Sequence, residues 1–301
     1  MIQLVTPTHF SDYELIDTGN YEKLERFGQY IVARPEPQAI WDKSLSNDEW
    51  QESAQAYFKR DMLKINNVEN NERGEWILKK GMPDRWHINY NYKSMHLKMR
   101  LGLTSFKHLG IFPEQADNWN YIFDTIQSFK EKGANVLNLF AYTGLASLVA
   151  KTAGADVTHV DSVKQVINWS RENMELSKLD NIRWVVEDAM KFVQREVKRG
   201  NKYNGIILDP PAYGRGPDGE KWILEKSLND LVKLCRRLLK EENIFFVLNM
   251  YSMGFSVLVA ENIISSVFGN KTKMESGELY CLDKAGKKLP LGIFARFQKK
   301  G

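Results

Sequence analysis

A chain of 301 residues, 43% hydrophobic and 27% charged with a formal charge of +4, is long enough for a full α/β domain plus an appendage and too apolar to be wholly disordered. It contains no apolar run of the roughly eighteen residues needed to cross a bilayer, and its start, MIQLVTPTHFSDYELID, has no basic stretch followed by an apolar one; a cytoplasmic protein without a membrane partner is expected. Two cysteines, Cys235 and Cys281, cannot frame a disulfide network or a metal cluster, so no metal is expected, and the mild, dispersed positive charge permits a nucleic-acid partner without requiring one.

The first 110 residues are rich in aromatics and short strand-like runs. Tyr30–Arg34 reads as a strand closed by Pro35 and Pro37, and Glu75–Leu78 and Trp86–Tyr90 as strands around the turn residues Gly81, Pro83 and Asp84. Residues 1–110 are therefore expected to form a small α+β domain, a candidate for substrate recognition, in which Trp41, Trp76, Trp86 and Tyr92 are either core residues or platforms for stacked bases. A bridge, LGLTSFKHLGIFPEQADNW, leads into an apolar-periodic helix over about Ala116–Lys130.

From there strands and helices alternate: strand 136–140, helix 144–153, strand 157–160, helix 163–177, strand 182–186, helix 188–198, strand 204–208, helix 224–240, strand 244–249 and helix 257–268. Short loops between such elements imply a parallel, doubly wound sheet, because parallel neighbours need crossover helices. Residues 275–282 and 291–298 break the rhythm. They are two strand-like runs with no room for a helix between them, which predicts a terminal antiparallel hairpin. Residues 111–301 thus form the second expected domain.

In an open parallel sheet, ligands collect at the carboxyl ends of the strands. Here the first strand ends in Phe140-Ala141-Tyr142-Thr143-Gly144, the second in Asp161, the third leads to Asp188, and the fourth ends in Asp209-Pro210-Pro211-Ala212-Tyr213. A dinucleotide site wants three glycines so that the backbone can approach a pyrophosphate. This turn supplies one, Gly144, with aromatics on the way to it, which disfavours a nicotinamide-dependent reductase. S-adenosylmethionine has no phosphate and carries a ribose, an amino acid and a sulfonium cation; it needs one close backbone approach and carboxylates. Asp161 is placed to accept the ribose hydroxyls, Asp188 to meet the adenine amino group, and Asp209 to hold the methionine ammonium or the substrate. A helix N-cap is the alternative for Asp161 and Asp188 taken singly.

The Asp-Pro-Pro turn can aim carbonyls and the following Tyr213 at a planar acceptor such as an extruded nucleobase. The loop after it, GRGPDGEKW, reads as a mobile lid, and Arg215 as either a phosphate contact or a solvated side chain. His108 and Lys107 sit among apolar residues ahead of the helix, where a structural histidine is the ordinary outcome.

Together VLNLFAYTGLASLVAKTAGA, HVDSV, EDAMKFV, DPPAYGRG, LPLGIFARF and SFKHLGIFPEQADNW resemble the class I S-adenosylmethionine-dependent methyltransferases, and more narrowly the bacterial group that modifies cytosine C5 or guanine N7 of large-subunit ribosomal RNA. The resemblance spans about residues 100–300. It implies a Rossmann-like fold with a seven-stranded sheet ending in the antiparallel hairpin, S-adenosylmethionine as cofactor, and RNA, ribosomal RNA first, as partner. It implies that Phe140, Tyr142, Thr143, Gly144, Asp161, Ser162, Asp188, Ala189 and Asp209 line the cofactor, with Phe112 and Gln115 joining from the bridge. Asp209, Pro210 and Tyr213 are the expected catalytic residues.

One departure narrows the chemistry. Methylation at cytosine C5 requires a cysteine to attack C6, and neither DPPAYG nor LNMYSMGFS contains one. A nitrogen acceptor brings its own lone pair and asks only for alignment, a pocket and a proton acceptor. The N-terminal unit also lacks a recognisable version of the separate RNA-binding domain that many relatives carry, so the acceptor stays open between RNA, protein and a small molecule, with a non-catalytic cofactor- or RNA-binding protein as a further alternative.

Overall fold

The computed structural model describes residues 1–60, 73–129, 133–251 and 254–301. The chain divides into two compact units, one of Met1–Val5, Asp117–Leu279 and Gly292–Gly301, the other of Thr6–Ala116 and Tyr280–Leu291. Where a single cut at 110/111 is expected, the main division falls at 116/117, the first five residues belong with the larger unit, and the outer end of the terminal hairpin belongs with the smaller.

A short strand, β1 (Gln3–Val5), opens the chain. The smaller unit then holds β2 (Tyr13–Gly19), β3 (Glu22–Phe27), β4 (Tyr30–Pro35), helix α1 (Asn47–Ser53), β5 (Ala56–Arg60) and β6 (Gly74–Leu78), whose strands form one sheet in chain order. Helix α1 starts where Ser46 Oγ accepts from Glu49 N at 3.3 Å while Ser46 N donates to Glu49 Oε2 at 2.7 Å, a reciprocal cap that satisfies two orphan amides. A separate two-stranded ribbon, β7 (Arg85–Tyr92) with β8 (Met95–Gly102), alternates between buried and more exposed residues from Arg85 to Asn91 and from Met95 to Leu101. Its inner face meets an aromatic core. Phe10 packs edge-on to Tyr90 at 5.0 Å and Tyr30 to Trp86 at 5.5 Å, and Trp86 Nε1 donates to the Phe27 carbonyl at 3.1 Å. Trp86 is therefore a core residue.

The larger unit runs from α2 (Ala116–Gln127) through β9 (Asn135–Leu139), α3 (Leu145–Thr152), β10 (Asp156–Asp161), α4 (Lys164–Leu176), β11 (Ile182–Val186), α5 (Ala189–Arg199), β12 (Gly205–Leu208), the short strands β13 (Tyr213–Arg215) and β14 (Lys221–Ile223), α6 (Leu224–Leu238), β15 (Ile244–Tyr251) and α7 (Val257–Phe268) to β16 (Glu275–Leu282) and β17 (Lys288–Lys299). The expected helix to Lys130 stops at Gln127, and Lys130 lies outside the described residues. The main sheet has the order β1-β16-β17-β15-β12-β9-β10-β11. Its central strands are parallel, β17 runs antiparallel to β15, and β1 adds an eighth strand, parallel to β16, to the seven expected. Central strands covered on both faces carry continuous apolar runs; β12 is buried throughout, and Leu137, Ile206 and Phe246 join Phe192 of α5 and Leu228 and Leu231 of α6 in one core.

Candidate active site

The parallel register decides which residues meet at the carboxyl rim. Leu139 pairs with Val160 on one side and Leu208 on the other, and Leu208 pairs with Leu248. The residues that follow them, Asp161, Phe140, Asp209 and Asn249, therefore stand in one row across four adjacent strands, about 4.8 Å apart per strand.

The turn after β9 is held in an unfavourable backbone conformation. Phe140 (φ 54°) and Tyr142 (φ 48°) both occupy the left-handed region, which bulky side chains avoid unless their surroundings enforce it. Gly144, at φ 90°, has no room for a side chain: a Cβ would come within 3.1 Å of Ser170 Cβ. The turn is fastened from α4 and β10. Ser170 Oγ lies 2.7 Å from the Tyr142 carbonyl, Asn173 Nδ2 donates to the Thr143 carbonyl at 2.9 Å, and Tyr142 N donates to Asp161 Oδ2 at 2.9 Å. Beneath it, Asn138 Nδ2 donates to Ser147 Oγ at 2.9 Å, and Ser147 Oγ lies 3.0 Å from His159 Nδ1. Burial drives the His159 pKa down to about 3, so the ring is neutral.

Asp161 anchors the rim with both oxygens, Oδ1 accepting from Val163 N at 2.9 Å. Burial raises its pKa, opposed by the amides of Val163, Tyr142 and Ser162. Each oxygen retains a lone pair for a ribose diol. Beside it the side chains of Val163 and of Val186, the register partner of Asp161, are exposed at 45% and 41%. A carboxylate flanked by uncovered apolar side chains suits a ribose carrying a flat base. Asp188, by contrast, caps α5, accepting from Lys191 N at 2.9 Å, and Ala189 is the buried first residue of that helix. The N-cap reading describes Asp188, and its second oxygen is what a ligand would meet.

Asp209 differs from both. Its side chain has no hydrogen-bond or ion-pair partner among the described residues, and burial alone pushes its pKa up to about 6. Pro210 is buried behind it, and the Pro211 carbonyl accepts from Trp222 Nε1 at 2.7 Å. Trp222 also packs on Phe140 at 4.8 Å, so the turns after β9 and β12 share one aromatic support. The segment expected as a lid folds as the ribbon β13–β14, closed by Gly216 N donating to the Glu220 carbonyl at 2.9 Å and tied to Lys191 through Glu220 and Asp218. Tyr213 stands on it 53% exposed.

Asn249 was not among the expected residues, although applying the strand-end rule to the fifth strand would have found it. It is buried, and its Oδ1 accepts from Asn118 Nδ2 at 2.9 Å; Asn118 Oδ1 in turn accepts from Arg296 Nη1 at 2.9 Å, and Arg296 is held by Asp117 and Glu275. The rim of the larger unit thus gathers Phe140, Tyr142, Thr143, Gly144, Asp161, Ser162, Asp188, Ala189, Asp209 and Pro210. Phe112 and Gln115 belong to the smaller unit, around a 3₁₀ turn over Pro113–Gln115, where the Phe112 ring lies 5.3 Å from that of His108. Cys235 and Cys281 are both buried free thiols whose pKa burial pushes up, which leaves neither as a nucleophile.

The family model described as conserved hypothetical protein 95 matches residues 103–248. Ribosomal RNA large subunit methyltransferase K/L of Shewanella frigidimarina is 33% identical over 145 residues, 46% of this chain and 19% of that protein. The protein of the same name from Colwellia psychrerythraea is 32% identical over 130 residues, 38% of this chain and 17% of that one. The chain spans under half the length of the curated relatives it matches. The crystal structure of the SAM-dependent methyltransferase from Agrobacterium tumefaciens is 35% identical, with a TM-score of 0.90 over 99% of this chain and 94% of that one.

Proposed function

This chain belongs to the S-adenosylmethionine-dependent methyltransferases, and from that premise we propose that it methylates a nucleobase nitrogen in RNA, ribosomal RNA first. The observation that carries the reading is Asp209, a carboxyl at the strand-end row with no counter-charge among the described residues.

The residues present fit the cofactor. A carboxylate with free lone pairs and two exposed valines match an adenosine, and an unpartnered carboxyl gains most from a cationic neighbour. In this reading Asp161 holds the ribose, Val163 and Val186 flank the adenine, Asp188 meets its amino group, and Ser162 and Ala189 complete that side. The turn from Phe140 through Tyr142 and Thr143 to Gly144 lies along the amino-acid end. When bound, the cofactor supplies an electrophilic methyl group on a sulfonium.

The chain's own task is alignment. With a pKa of about 6, Asp209 is ionised at neutral pH and can accept a hydrogen bond or a proton from an exocyclic amine, while the Pro210 carbonyl orients the same group. Tyr213, exposed on its ribbon, offers a stacking face for an extruded base. A buried, protonated Cys235 cannot serve cytosine C5 chemistry, which favours nitrogen. The names of the Shewanella and Colwellia relatives support ribosomal RNA as the acceptor, and the unit built mainly from residues 6–116 is the natural recognition element.

The test is to incubate the purified protein with methyl-labelled S-adenosylmethionine and separated RNA, protein and small-molecule fractions from cells lacking the gene. Label in RNA, with nucleoside mass spectrometry placing it on a nitrogen, is the expected result. Label confined to protein or small molecules overturns it.

A further inference from the structure

We propose that the solvent face of the β7–β8 ribbon is a track for the sugar–phosphate backbone of the RNA; this rests on the RNA reading above and adds the surface that grips it. Alternation places Trp86, Ile88, Tyr90, Met95, Leu97, Met99 and Leu101 in the core. The opposite face then carries Arg85, His87, Asn89 and Asn91 on one strand and His96, Lys98 and Arg100 on the other, with Lys93 in the connecting turn.

Register arranges these into cross-strand rows: His87 opposite Arg100, Asn89 opposite Lys98, Asn91 opposite His96. Same-face positions along a strand recur every two residues, about 6.7 Å. The face therefore presents regular rows of cationic and hydrogen-bond-donating groups, the pattern that phosphate contacts require. Asp12 flanks its edge, where Asp12 Oδ2 accepts from the amide and side chain of Asn89 at 2.7 and 3.1 Å, and His96 Nδ1 lies 2.9 Å from Asn91 Oδ1.

Charge is unevenly distributed along the sequence of this unit. Residues 73–107 hold eight lysines and arginines against two acidic residues, Glu75 and Asp84, and none of the acids falls between Arg85 and Lys107. Residues 6–60 hold ten acidic residues against six basic ones. Between Arg85 and Gly102 the ribbon itself holds four lysines and arginines and no acidic residue, which suits a polyanion. The exposed positions of the ribbon include no large aliphatic side chain, and so no anchor for a membrane surface.

Phosphate contacts leave a signature that other modes of binding lack, because each neutralised phosphate releases counterions. For single strands the slope of log affinity against log salt is about −0.7 per contact. The test measures binding of a short fluorescein-labelled single-stranded RNA by the full chain across a salt series, for wild type, for the neutral triple variant Arg85→Gln/Lys93→Gln/Lys98→Gln, and for the charge-keeping Arg85→Lys/Lys93→Arg/Lys98→Arg. The neutral variant is expected to lose about 2 from the magnitude of the slope, and on the order of tenfold or more in affinity at low salt. The charge-keeping variant should retain both, and the melting temperature and S-adenosylhomocysteine affinity should stay at wild-type values in all three proteins. RNA binding by wild type with an unchanged slope in the neutral variant overturns the track while leaving the RNA reading intact. Equal losses in both variants overturn it as well, since charge would then not be what matters. Wild-type protein that binds no RNA and labels only protein or small molecules removes the parent reading and the track together.

Discussion

Two carboxyls, the buried Glu25 of the smaller unit and the half-buried Asp209 of the larger, meet opposite fates. Glu25 in the smaller unit lies under a full set of partners: Arg34 Nε and Nη2 at 2.6 and 3.1 Å, the Tyr13 hydroxyl at 3.0 Å, and Lys23 Nζ at 3.7 Å, itself 3.2 Å from Glu36. Burial works to raise its pKa, but Arg34 and Lys23 outweigh it and hold the group below its usual value. Asp209 in the larger unit, half-buried, has desolvation and no hydrogen-bond or ion-pair partner among the described residues, and rises to about 6. A charge answered within the fold is spent on holding the fold, whereas one left unanswered at a strand end is available to a ligand. Glu114, buried among the first group, is pushed to about 7 by burial despite Lys23 and Arg34, so even there the counter-charges are shared out unevenly.

The hardest blow to this contrast would come from Arg34→Met. It strands Glu25 in the core, and chemical denaturation should show a loss of about 3–5 kcal/mol; a loss below about 1 kcal/mol would mean that the charges of the smaller unit matter as little as surface pairs do. Asp209→Asn should separate function from stability. Transfer is expected to fall on the order of 10²-fold or more, while the fold gains. The folded-state pKa of Asp209 is raised, so its ionisation opposes folding progressively as pH climbs from 3.8 through about 6. Removing it should stabilise the protein at pH 8 by on the order of 1–2 kcal/mol, discounted for partial exposure. An Asp209→Asn protein that is less stable at pH 8 than wild type would place Asp209 among the structural carboxyls.

Asp161→Ala sharpens the comparison further, because Asp161 is answered by amides and still keeps free lone pairs. Isothermal titration with S-adenosylhomocysteine should show affinity reduced roughly 10- to 100-fold, the worth of charge-assisted hydrogen bonds; unchanged affinity would leave it only a brace for the turn. The smallest effect concerns His159. Its folded pKa of about 3 lies below the unfolded value of 6.5, so its contribution is complete above pH 6.5 and is lost as pH falls towards 3. That slope, about 1.4 kcal/mol per pH unit, should flatten in His159→Gln when urea midpoints are compared between pH 7 and pH 5.

Most of the rim was legible because strand ends, single glycines and acidic residues are local signals. Asp161, Asp209 and the Phe140–Gly144 turn were found that way. His159 looked like an ordinary residue inside a strand, and nothing in its neighbourhood along the chain connects it to Ser147 or to the turn above it. Val163 and Val186 were missed for the opposite reason. Exposed valines are recognisable only once the surface is formed.

The amino-acid sequence by itself determined the alternation of strands and helices, the parallel core and the identities of the strand-end residues, since periods of 2 and 3.6 and the chemistry of turns are written within about ten consecutive residues. The tertiary structure alone decided that Asn249 joins the row with Asp161 and Asp209, that β1 adds to the far edge beside β16, and that Tyr280–Leu291 completes the smaller unit. It alone decided that Asp188 caps a helix while Asp209 has no partner among the described residues. Register and the pairing of buried charge depend on contacts between residues tens to hundreds of positions apart, whose free energy is realised only when the whole sheet is packed.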